Sequence, residues 1–522
     1  MVAASGAARP EATTATEAAT TFVVTGHGWG HGVGMPQYGA LGYARKGFSY
    51  ARILKRFYPG TSLASTGVKQ VRVLLAEGAA SVAVSSAAPF RIRDAAGKSY
   101  KLAAGSYAVG PSFRLRVAAN GALKQLPGPL MFTPGRVPLQ VGRPYRGSIQ
   151  VLAAKNKMQA INFVGLEDYV RGVVSQEVSS DWPTPALAAQ AVASRTYAVA
   201  TRKRSGTYDL FADTRSQVYG GVDAEEFSTS AAVDSTAAKI LTYGGRPAIT
   251  YFYASSGGKT ASIQDSFTGS KPVPYLVSVR DPYDTLSPYH DWGPYPYAAK
   301  TLARKLHAGK TLLDAKVTRN RSSRVSSVTL TTAKGEKTLP GSEVRQLLGL
   351  RSTWFSIGAL SLVKPSKALT YGVESELTGL ARGLKGVRIE RLAGRTWRSF
   401  VKVSPSSDGT FAATVQVKAP GYYRLTSGKV ATAAVKVPVA AYVRLDAQSG
   451  GFAGRARPVY PGTTVTIQRL DGSSWDDVAT SALDAAGRFT AKLTLQPATY
   501  RARIVPGHGL LPGVSAILRV VS

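Results

Sequence analysis

The stretch VVSQEVSSDWP, residues 173–183, places one carboxylate, Glu177, between an apolar run and a Trp182–Pro183 corner. Apolar neighbours withdraw water from a carboxyl group, and this desolvation raises its pKa. A raised pKa is what a general acid needs near neutral pH. The stretch therefore makes Glu177 the first candidate for a catalytic residue.

A helix is predicted directly after this stretch, with Thr184 as a candidate cap and Pro185 at the first helical position. Spacings of four, three and four residues place one set of side chains on the same face of this helix: Ala188, Val192, Arg195 and Val199. An arginine on an apolar face needs an anion, and Glu177 is one candidate. The alternative is that Arg195 forms a structural ion pair and Glu177 is an ordinary acid at the helix entrance. The residues alone leave both interpretations open.

The composition of the 522-residue chain excludes several classes of protein. The length predicts about three or four domains. No apolar run is long enough for a transmembrane helix. Cysteine is absent, which excludes disulfides, thiolate metal sites and thiol nucleophiles. Residues 1–20 are small and polar and have no apolar signal-peptide core, so we expect a flexible N-terminal segment.

The chain is strongly basic, with a formal net charge of +35. Such a charge attracts polyanions, of which nucleic acid and an anionic cell wall are two candidates. The sequence contains no zinc-finger, helix-turn-helix or RNP-like pattern. We therefore expect no nucleic-acid partner.

Residues 26–40, GHGWGHGVGMPQYGA, form a second conspicuous motif. Alternating glycines allow positive φ angles and close approach of the backbone to a ligand or another segment. His27 and His31 are four residues apart, which would suit a metal pair on a helix. The glycines argue against a helix and no third ligand lies nearby, so neither a metal nor a cofactor is predicted.

The rest of the chain predicts mostly strands. Residues 69–161 consist of short alternating segments separated by turn residues. Helices are predicted over residues 40–48, 50–58 and 227–241. Residues 366–522 contain an internal repeat with an offset of 78 residues, which aligns Val387 with Val465 and Trp397 with Trp475. Further pairs follow the same offset: Gly409/Gly487, Phe411/Phe489 and Tyr422/Tyr500. An all-strand repeat of this length predicts two immunoglobulin-like β-sandwiches.

The run LEDYVRGVV (166–174), Glu177, Trp182–Pro183 and AQAVASRTY (189–197) resembles the SpoIID/LytB domain of the stage II sporulation protein D family. The resemblance covers residues 21 to about 363. It includes the 26–40 motif, with Pro36 in place of the usual serine, and the Ser-Gly-Gly turn at 255–258, preceded by Ala254 where the family pattern has serine. The family includes peptidoglycan lytic transglycosylases and amidase enhancers, and Glu177 falls on its catalytic glutamate.

The resemblance implies an α+β, β-rich domain with a few helices over residues 21–365, followed by sandwiches at 366–438 and 439–522. In many relatives the glycine-histidine motif closes the domain and follows an LRSTxF-like segment. Here that segment, LRSTWFSI (350–357), lies at the end and the motif at the beginning. We therefore expect a circular permutation, which proteins tolerate when their termini are close. The motif should then lie beside Glu177.

The resemblance further implies cleavage of the MurNAc–GlcNAc bond by Glu177 with formation of 1,6-anhydro-MurNAc. The alternative is a non-catalytic, wall-binding enhancer of a peptidoglycan amidase. The Ser-Gly-Gly turn is expected to offer a cradle of N–H groups. The expected substrate contacts are Trp182, Gln190, Arg195, Tyr197, Gln217, Tyr219, Ser255, Gly257, Gly258, His31 and Gln37. The implied partners are peptidoglycan glycan strands, anionic wall polymers and an amidase, and the implied location is secreted or associated with a bacterial cell wall.

Overall fold

A computed structural model describes residues 20–117 and 121–521, so the expected flexible segment 1–20 lies outside the described residues except for Thr20. The chain is β-rich with few helices, which confirms that part of the predicted fold class. The helices are α1 (Gln37–Arg45), α2 (Tyr50–Phe57), α3 (Leu166–Glu177), α4 (Thr184–Thr201), α5 (Phe227–Ser235), α6 (Ile263–Ser266), α7 (Ala299–Lys305) and α8 (Gly341–Leu348). Short 3-10 turns cover Val222–Ala224 and Asp284–Leu286.

Helix α4 is the centre of the helical part. It packs against α1, α2, α3 and α5, and most of its residues are buried. Its small alanine side chains allow neighbouring helices to approach on every side, as expected for a helix without a solvent-facing stripe. The predicted Thr184 cap is wrong: α4 begins at Thr184, and no side chain caps it.

A seven-stranded sheet supports α3 and α4. Its strands, in order, are Leu210–Phe211, Gln70–Ala79, Lys157–Gly165, Ser148–Ala154, Leu130–Thr133, Phe90–Arg93 and Ser99–Leu102. Five smaller sheets lie in the same region of the described chain. Their strands are Arg143–Tyr145, Leu139–Val141, Val82–Ser86 and Gly105–Val109; Arg246–Pro247, Lys239–Tyr243 and Ser62–Ser65; Asp314–Arg319, Val325–Thr332 and Gly335–Pro340; Arg114–Arg116 and Leu123–Gln125; Met35–Pro36 and Phe252–Tyr253. The helix predicted over 227–241 ends at Ser235, and its last residues belong to a strand instead.

A five-stranded sheet joins the two ends of the region 21–365. Its order is Asp291–Ala298, Thr21–His27, Phe355–Leu362, Glu374–Arg382 and Thr410–Gln416. Because Thr21–His27 pairs with Phe355–Leu362, the glycine-histidine motif emerges beside residues 351–354. The His27 N–H donates to the Trp354 carbonyl (2.9 Å), and the Ser352 hydroxyl donates to the His27 carbonyl (2.6 Å). A circular permutation requires the motif to lie next to residues 351–354, as it does here. The permutation itself stays an interpretation.

The same sheet continues across the predicted domain boundary at 365/366. Strand Phe355–Leu362 pairs with Thr21–His27 on one side and with Glu374–Arg382 on the other. One buried cluster contains Val23, Leu360 and Leu362 together with Leu377 and Tyr423. The first repeat therefore shares a strand and a core with the domain before it.

The two repeats have the same strand order. The first adds the sheet Thr396–Lys402, Val387–Ala393, Gly421–Ser427 and Val430–Ala431, with Val435–Val437 also on Gly421–Ser427 and a parallel pair Leu369–Thr370/Val439–Ala440. The second has Tyr442–Gln448, Gly451–Arg457 and Arg488–Lys492 facing Ser474–Ala482, Thr464–Asp471, Ala498–Ile504 and Gly513–Val514, with Leu518–Val520 also on Ala498–Ile504. Both sheets of the second repeat contribute to one core, as in a sandwich.

Local details of the repeats also agree. Each carries a bulge at the same place, after Ile389 and after Ile467, and Trp397 and Trp475 lie opposite equivalent leucines. One aligned pair needs correction. The structural equivalent of Tyr500 in the first repeat is Tyr423 and not Tyr422. Tyr423 and Tyr500 are both buried, and each lies opposite the arginine two residues after the isoleucine at the bulge, whereas Tyr422 is exposed. The immunoglobulin-like label itself stays a prediction.

Candidate active site

Glu177 is the last residue of α3, at the point where the chain turns toward α4. Its side chain is partly buried. The Gln37 amide, from the first residue of α1, donates a hydrogen bond to Glu177 Oε2 at 3.2 Å. The expectation that the glycine-histidine motif lies beside Glu177 is therefore confirmed.

The environment of Glu177 disfavours its charged form. Burial raises the pKa of this carboxyl above its ordinary value, and the Gln37 hydrogen bond opposes the shift only in part. The position at the carboxyl end of a helix acts in the same direction as burial, because the unpaired carbonyls there carry partial negative charge. Glu177 can therefore keep a proton at a pH where an exposed glutamate has lost it.

Glu177 opens into a cavity of about 380 Å³. The lining residues are His31, Glu177, Tyr197, Thr214, Ser216, Gln217, Val218, Tyr251, Phe252 and Phe267. The lining combines aromatic rings with hydroxyl and amide groups. Among these described lining residues, Glu177 is the only carboxylate.

His31 is held as a neutral structural group in this cavity wall. The Val33 N–H donates to its Nδ1 (3.0 Å), so Nε2 carries the proton and donates to the Phe252 carbonyl (3.1 Å). Burial lowers the pKa of His31 to about 4, and the charges of Arg345 and Arg324 act in the same direction. With both nitrogens engaged, His31 contributes its ring face to the cavity and is not a free acid or base.

Four of the six glycines in the motif, Gly28, Gly30, Gly32 and Gly34, take the positive φ angles that the alternating pattern predicts. Gly34 has φ +77°, and a Cβ there would lie 2.1 Å from the Tyr251 carbonyl oxygen. At this point the Met35 N–H donates to the same carbonyl (3.0 Å). Glycine is therefore required where the motif passes the strand that forms the aromatic wall.

Gln217 and Tyr197 line the cavity, and both remain predicted substrate contacts. The Gln217 carbonyl accepts from the Tyr169 hydroxyl (3.3 Å), while its buried Nε2 has no partner among the described residues. Buried amide donors are normally paired. This Nε2 is therefore a candidate donor to a substrate oxygen.

Arg195 does not contact Glu177, so that interpretation is wrong. Its fully buried guanidinium bonds to Glu167 at the start of α3, with Nη2 and Oε2 2.6 Å apart, and to the Lys239 and Val233 carbonyls. The i, i+7 spacing correctly places Arg195 on a buried face, but that face meets the opposite end of α3. Arg195 fixes α3 against α4 and cannot reach a substrate.

Gln190 and Tyr219 are also buried rather than lining the cavity. The Gln190 amide donates to Ser194 one turn later (3.1 Å), and the Tyr219 hydroxyl donates to Asn162 (3.1 Å). The Tyr219 ring lies against Gly172 of α3. Both residues support α3 and α4 from behind, which corrects their expected role as substrate contacts.

The Ser-Gly-Gly turn forms the expected cradle, but a side chain of the protein already fills it. The N–H groups of Ser256 and Gly257 and the Ser255 hydroxyl all donate to the Asp284 carboxylate at 2.8 Å. The Gly258 N–H donates to the Ser256 hydroxyl (3.0 Å). Ser255, Gly257 and Gly258 are therefore structural here, because the fold supplies its own anion.

Trp182 lies outside the lining of the cavity. Its ring contacts Tyr38, with centroids 5.4 Å apart. Over residues 20–117 and 121–521, no three His, Cys, Asp or Glu side chains cluster in a way that could hold a metal ion. In the same ranges, no helix is both long and apolar enough to cross a bilayer.

Sequence reasoning missed the aromatic wall, formed by Tyr251, Phe252 and Phe267. The first two stand just before the Ser-Gly-Gly turn, and the aromatic run over residues 251–253 was the available signal. It also missed Arg324, which is buried against the motif. Arg324 donates to the Lys259 carbonyl (2.8 Å) and lies over the Trp354 ring. Nothing in the local sequence distinguishes it from the many exposed arginines.

Comparison with known proteins places this site in a family. Residues 154–243, which include α3 and α4, match the family model described as stage II sporulation protein. The chain is 31% identical over 233 residues to stage II sporulation protein D of Bacillus subtilis, covering 40% of this chain and 64% of that protein. It is 40% identical over 141 residues to an uncharacterised protein of Brachyspira hyodysenteriae, covering 26% and 38%.

A third relative is the amidase enhancer of Bacillus subtilis, 35% identical over 116 residues, covering 22% of this chain and 15% of that protein. The chain thus spans less than two thirds of the length of each of these relatives. The family match and the relatives agree on the segment that carries Glu177. Residues 154–243, which carry α3, Glu177 and α4, are therefore a domain of the SpoIID family.

Proposed function

We propose that this protein is a peptidoglycan lytic transglycosylase that cleaves the MurNAc–GlcNAc bond and forms 1,6-anhydro-MurNAc. The observation that supports this most directly is the single carboxyl of raised pKa in the cavity, Glu177, with no second carboxylate among the described lining residues. A hydrolytic glycosidase normally uses two carboxylates. One carboxyl is enough when an internal hydroxyl of the substrate serves as the nucleophile.

In the first step the protonated Glu177 gives its proton to the glycosidic oxygen, and the bond from that oxygen to C1 of MurNAc breaks. In the second step the Glu177 carboxylate takes the proton from the C6 hydroxyl of the same sugar. The C6 oxygen then bonds to C1 and closes the anhydro ring, which restores the protonated acid. The Gln37 amide steadies the carboxylate form between the steps.

The other lining groups would bind rather than react. The unpaired Gln217 Nε2 is suited to a carbonyl or hydroxyl oxygen of the sugar, and the Tyr197 and Tyr251 rings to its apolar face. The +35 net charge favours residence in an anionic wall, so secreted or wall-associated protein with anionic wall polymers as partners belongs to the same proposal.

The test is digestion of purified glycan strands, with and without stem peptides, by wild type, Glu177→Gln and Asp181→Asn. Glutamine keeps the shape of the side chain but cannot transfer the proton, so Glu177→Gln should release almost no anhydro product. Asp181 is an exposed acid four residues away and serves as the matched control. Equal product from Glu177→Gln and wild type would refute the proposal.

A second candidate function is a non-catalytic enhancer of a peptidoglycan amidase. It is favoured by the similarity to the amidase enhancer of Bacillus subtilis. In this case wild type releases no anhydro sugars, and both wild type and Glu177→Gln increase amide cleavage by an added amidase. The two candidates therefore differ in their product and in their dependence on Glu177.

A further inference from the structure

A row of four partly exposed aromatic side chains begins next to the Glu177 site. The ring centroids of Trp182 and Tyr38 are 5.4 Å apart, those of Tyr38 and Tyr289 are 6.5 Å apart, and those of Tyr289 and Trp29 are 4.4 Å apart. Tyr38 directly follows Gln37, whose amide contacts Glu177. We call these four side chains the aromatic row.

Arg351 lies at the far end of the row. Its guanidinium carbon lies 4.4 Å from the Tyr289 ring centroid and 5.0 Å from that of Trp29. The side chain is partly exposed, and within the described part of the chain it has no carboxylate partner within 4 Å. Stacking on two rings holds the guanidinium in place and leaves its donors available to an anion.

The backbone beneath the row is fixed. Trp29 and Ser255 exchange two backbone hydrogen bonds (2.8 and 3.0 Å), and the Ser255 hydroxyl donates to buried Asp284. The Gly30 N–H donates to the Arg351 carbonyl (3.0 Å). The filled Ser-Gly-Gly cradle thereby orients Trp29, which is nevertheless 40% exposed.

We propose that the aromatic row is a set of sugar-binding subsites along which a glycan strand extends from Glu177, and that Arg351 binds a carboxylate carried by that strand. The proposal rests on the proposed function for the identity of the glycan. Flat rings with polar tips suit the apolar faces and hydroxyl rims of pyranose sugars, and a rigid row costs little conformational entropy on binding. In a peptide-free strand the carboxylate is the lactyl group of MurNAc.

Binding can be tested without catalysis in the Glu177→Gln protein. The ligands are peptide-free glycan strands of two and eight sugars and chitin oligosaccharides of the same lengths, which lack the carboxylate. Trp29→Ala and Tyr289→Ala should each weaken binding of the eight-sugar strands by about 3- to 10-fold and leave two-sugar binding unchanged. Arg351→Gln should reduce the preference for the carboxylate-bearing strand over chitin by about 10-fold at low salt.

Tyr243→Ala is the matched control, because Tyr243 is similarly exposed but its ring pairs with Tyr275 instead of the row. Eight-sugar binding that is unchanged in Trp29→Ala and Tyr289→Ala, or equally reduced in the control, overturns the proposal.

Cleavage is measured separately. If wild type releases no anhydro product while the row variants still lose long-strand binding, only the transglycosylase assignment fails. If wild type cleaves and the row variants bind normally, only the row proposal fails.

Discussion

At the residue scale, the balance between burial and one amide decides the proton affinity of Glu177. The Gln37 hydrogen bond stabilises the carboxylate, so its loss should raise the pKa of Glu177 further. As the proposed general acid, Glu177 acts while protonated, so the proposed reaction should slow as pH rises through this pKa. Gln37→Leu should therefore move the alkaline limb of the pH–rate profile to higher pH. The neighbouring exposed Gln176→Ala should leave the limb in place, and a shift of the Gln37→Leu limb to lower pH would contradict the account.

The Arg195–Glu167 pair gives a stability prediction. Glu167→Gln leaves a fully buried guanidinium without its anion, which should lower the free energy of unfolding by roughly 3 kcal/mol. Adding Arg195→Met removes the stranded charge and should recover part of the loss. Urea unfolding of the single and double variants measures both effects. A double variant less stable than Glu167→Gln would show that the arginine contributes mainly by other contacts.

Asp281 predicts an unusual pH dependence of stability. It is fully buried, and burial together with the nearby Asp284 raises its pKa to about 7. The folded state therefore holds this proton more tightly than the unfolded state, whose pKa is about 4. Its contribution to stability is complete below about pH 4 and is lost as pH rises to about 7. Asp281→Asn should thus become more stable relative to wild type between pH 4 and 7, as measured by urea unfolding. A difference that stays constant over this range would contradict the prediction.

At the element scale, the glycine-histidine motif depends on backbone freedom and close packing together. Gly34→Ala puts a Cβ against the Tyr251 carbonyl at a positive φ, and it should lower stability by about 2 kcal/mol and displace the aromatic wall. Gly47 has a similar φ of +80°, but a Cβ added there would meet no atom within 4 Å, so Gly47→Ala should cost only about 1 kcal/mol. Thermal unfolding and activity compare the two. Equal losses would show that close packing at Gly34 is unimportant.

Local sequence signals predicted many of these elements. The α1 and α2 helices, the alanine-rich α4 and the positive φ angles of the motif follow from periodicity and glycine placement. The partners of polar side chains did not follow, because Arg195 selects Glu167 and the Ser-Gly-Gly turn selects Asp284 through tertiary packing. Nothing in the sequence around Asp284 distinguishes its buried carboxylate, which fills the Ser-Gly-Gly turn, from an exposed one. The resemblance located Glu177, while the aromatic wall and row needed the structure.

At the scale of the whole molecule, the strand Phe355–Leu362 links the SpoIID-like domain to the first repeat. The sequence around the predicted boundary at 365/366 gives no sign that hydrogen bonding continues across it, since each side alone has normal strand alternation. Removing residues 441–522 should leave a folded protein, because the second repeat has its own core. Ending the chain at 365 should give an unstable or aggregating protein, because Leu360 and Leu362 lose their cover and an edge strand is exposed. Solubility and cooperative thermal unfolding of the two truncations test this, and a stable chain ending at 365 would contradict it.

The central claim is that Glu177 alone supplies both proton transfers of an anhydro-forming cleavage. Mass spectrometry of peptide-free glycan strands after incubation with wild type, Asp181→Asn and Glu177→Gln tests it most directly. General acid–base catalysis contributes about 10²–10⁴-fold, so anhydro products should appear with the first two proteins and fall by at least the lower figure with Glu177→Gln. Anhydro products from Glu177→Gln at the wild-type rate, or reducing-end products without the anhydro ring from wild type, would contradict the account.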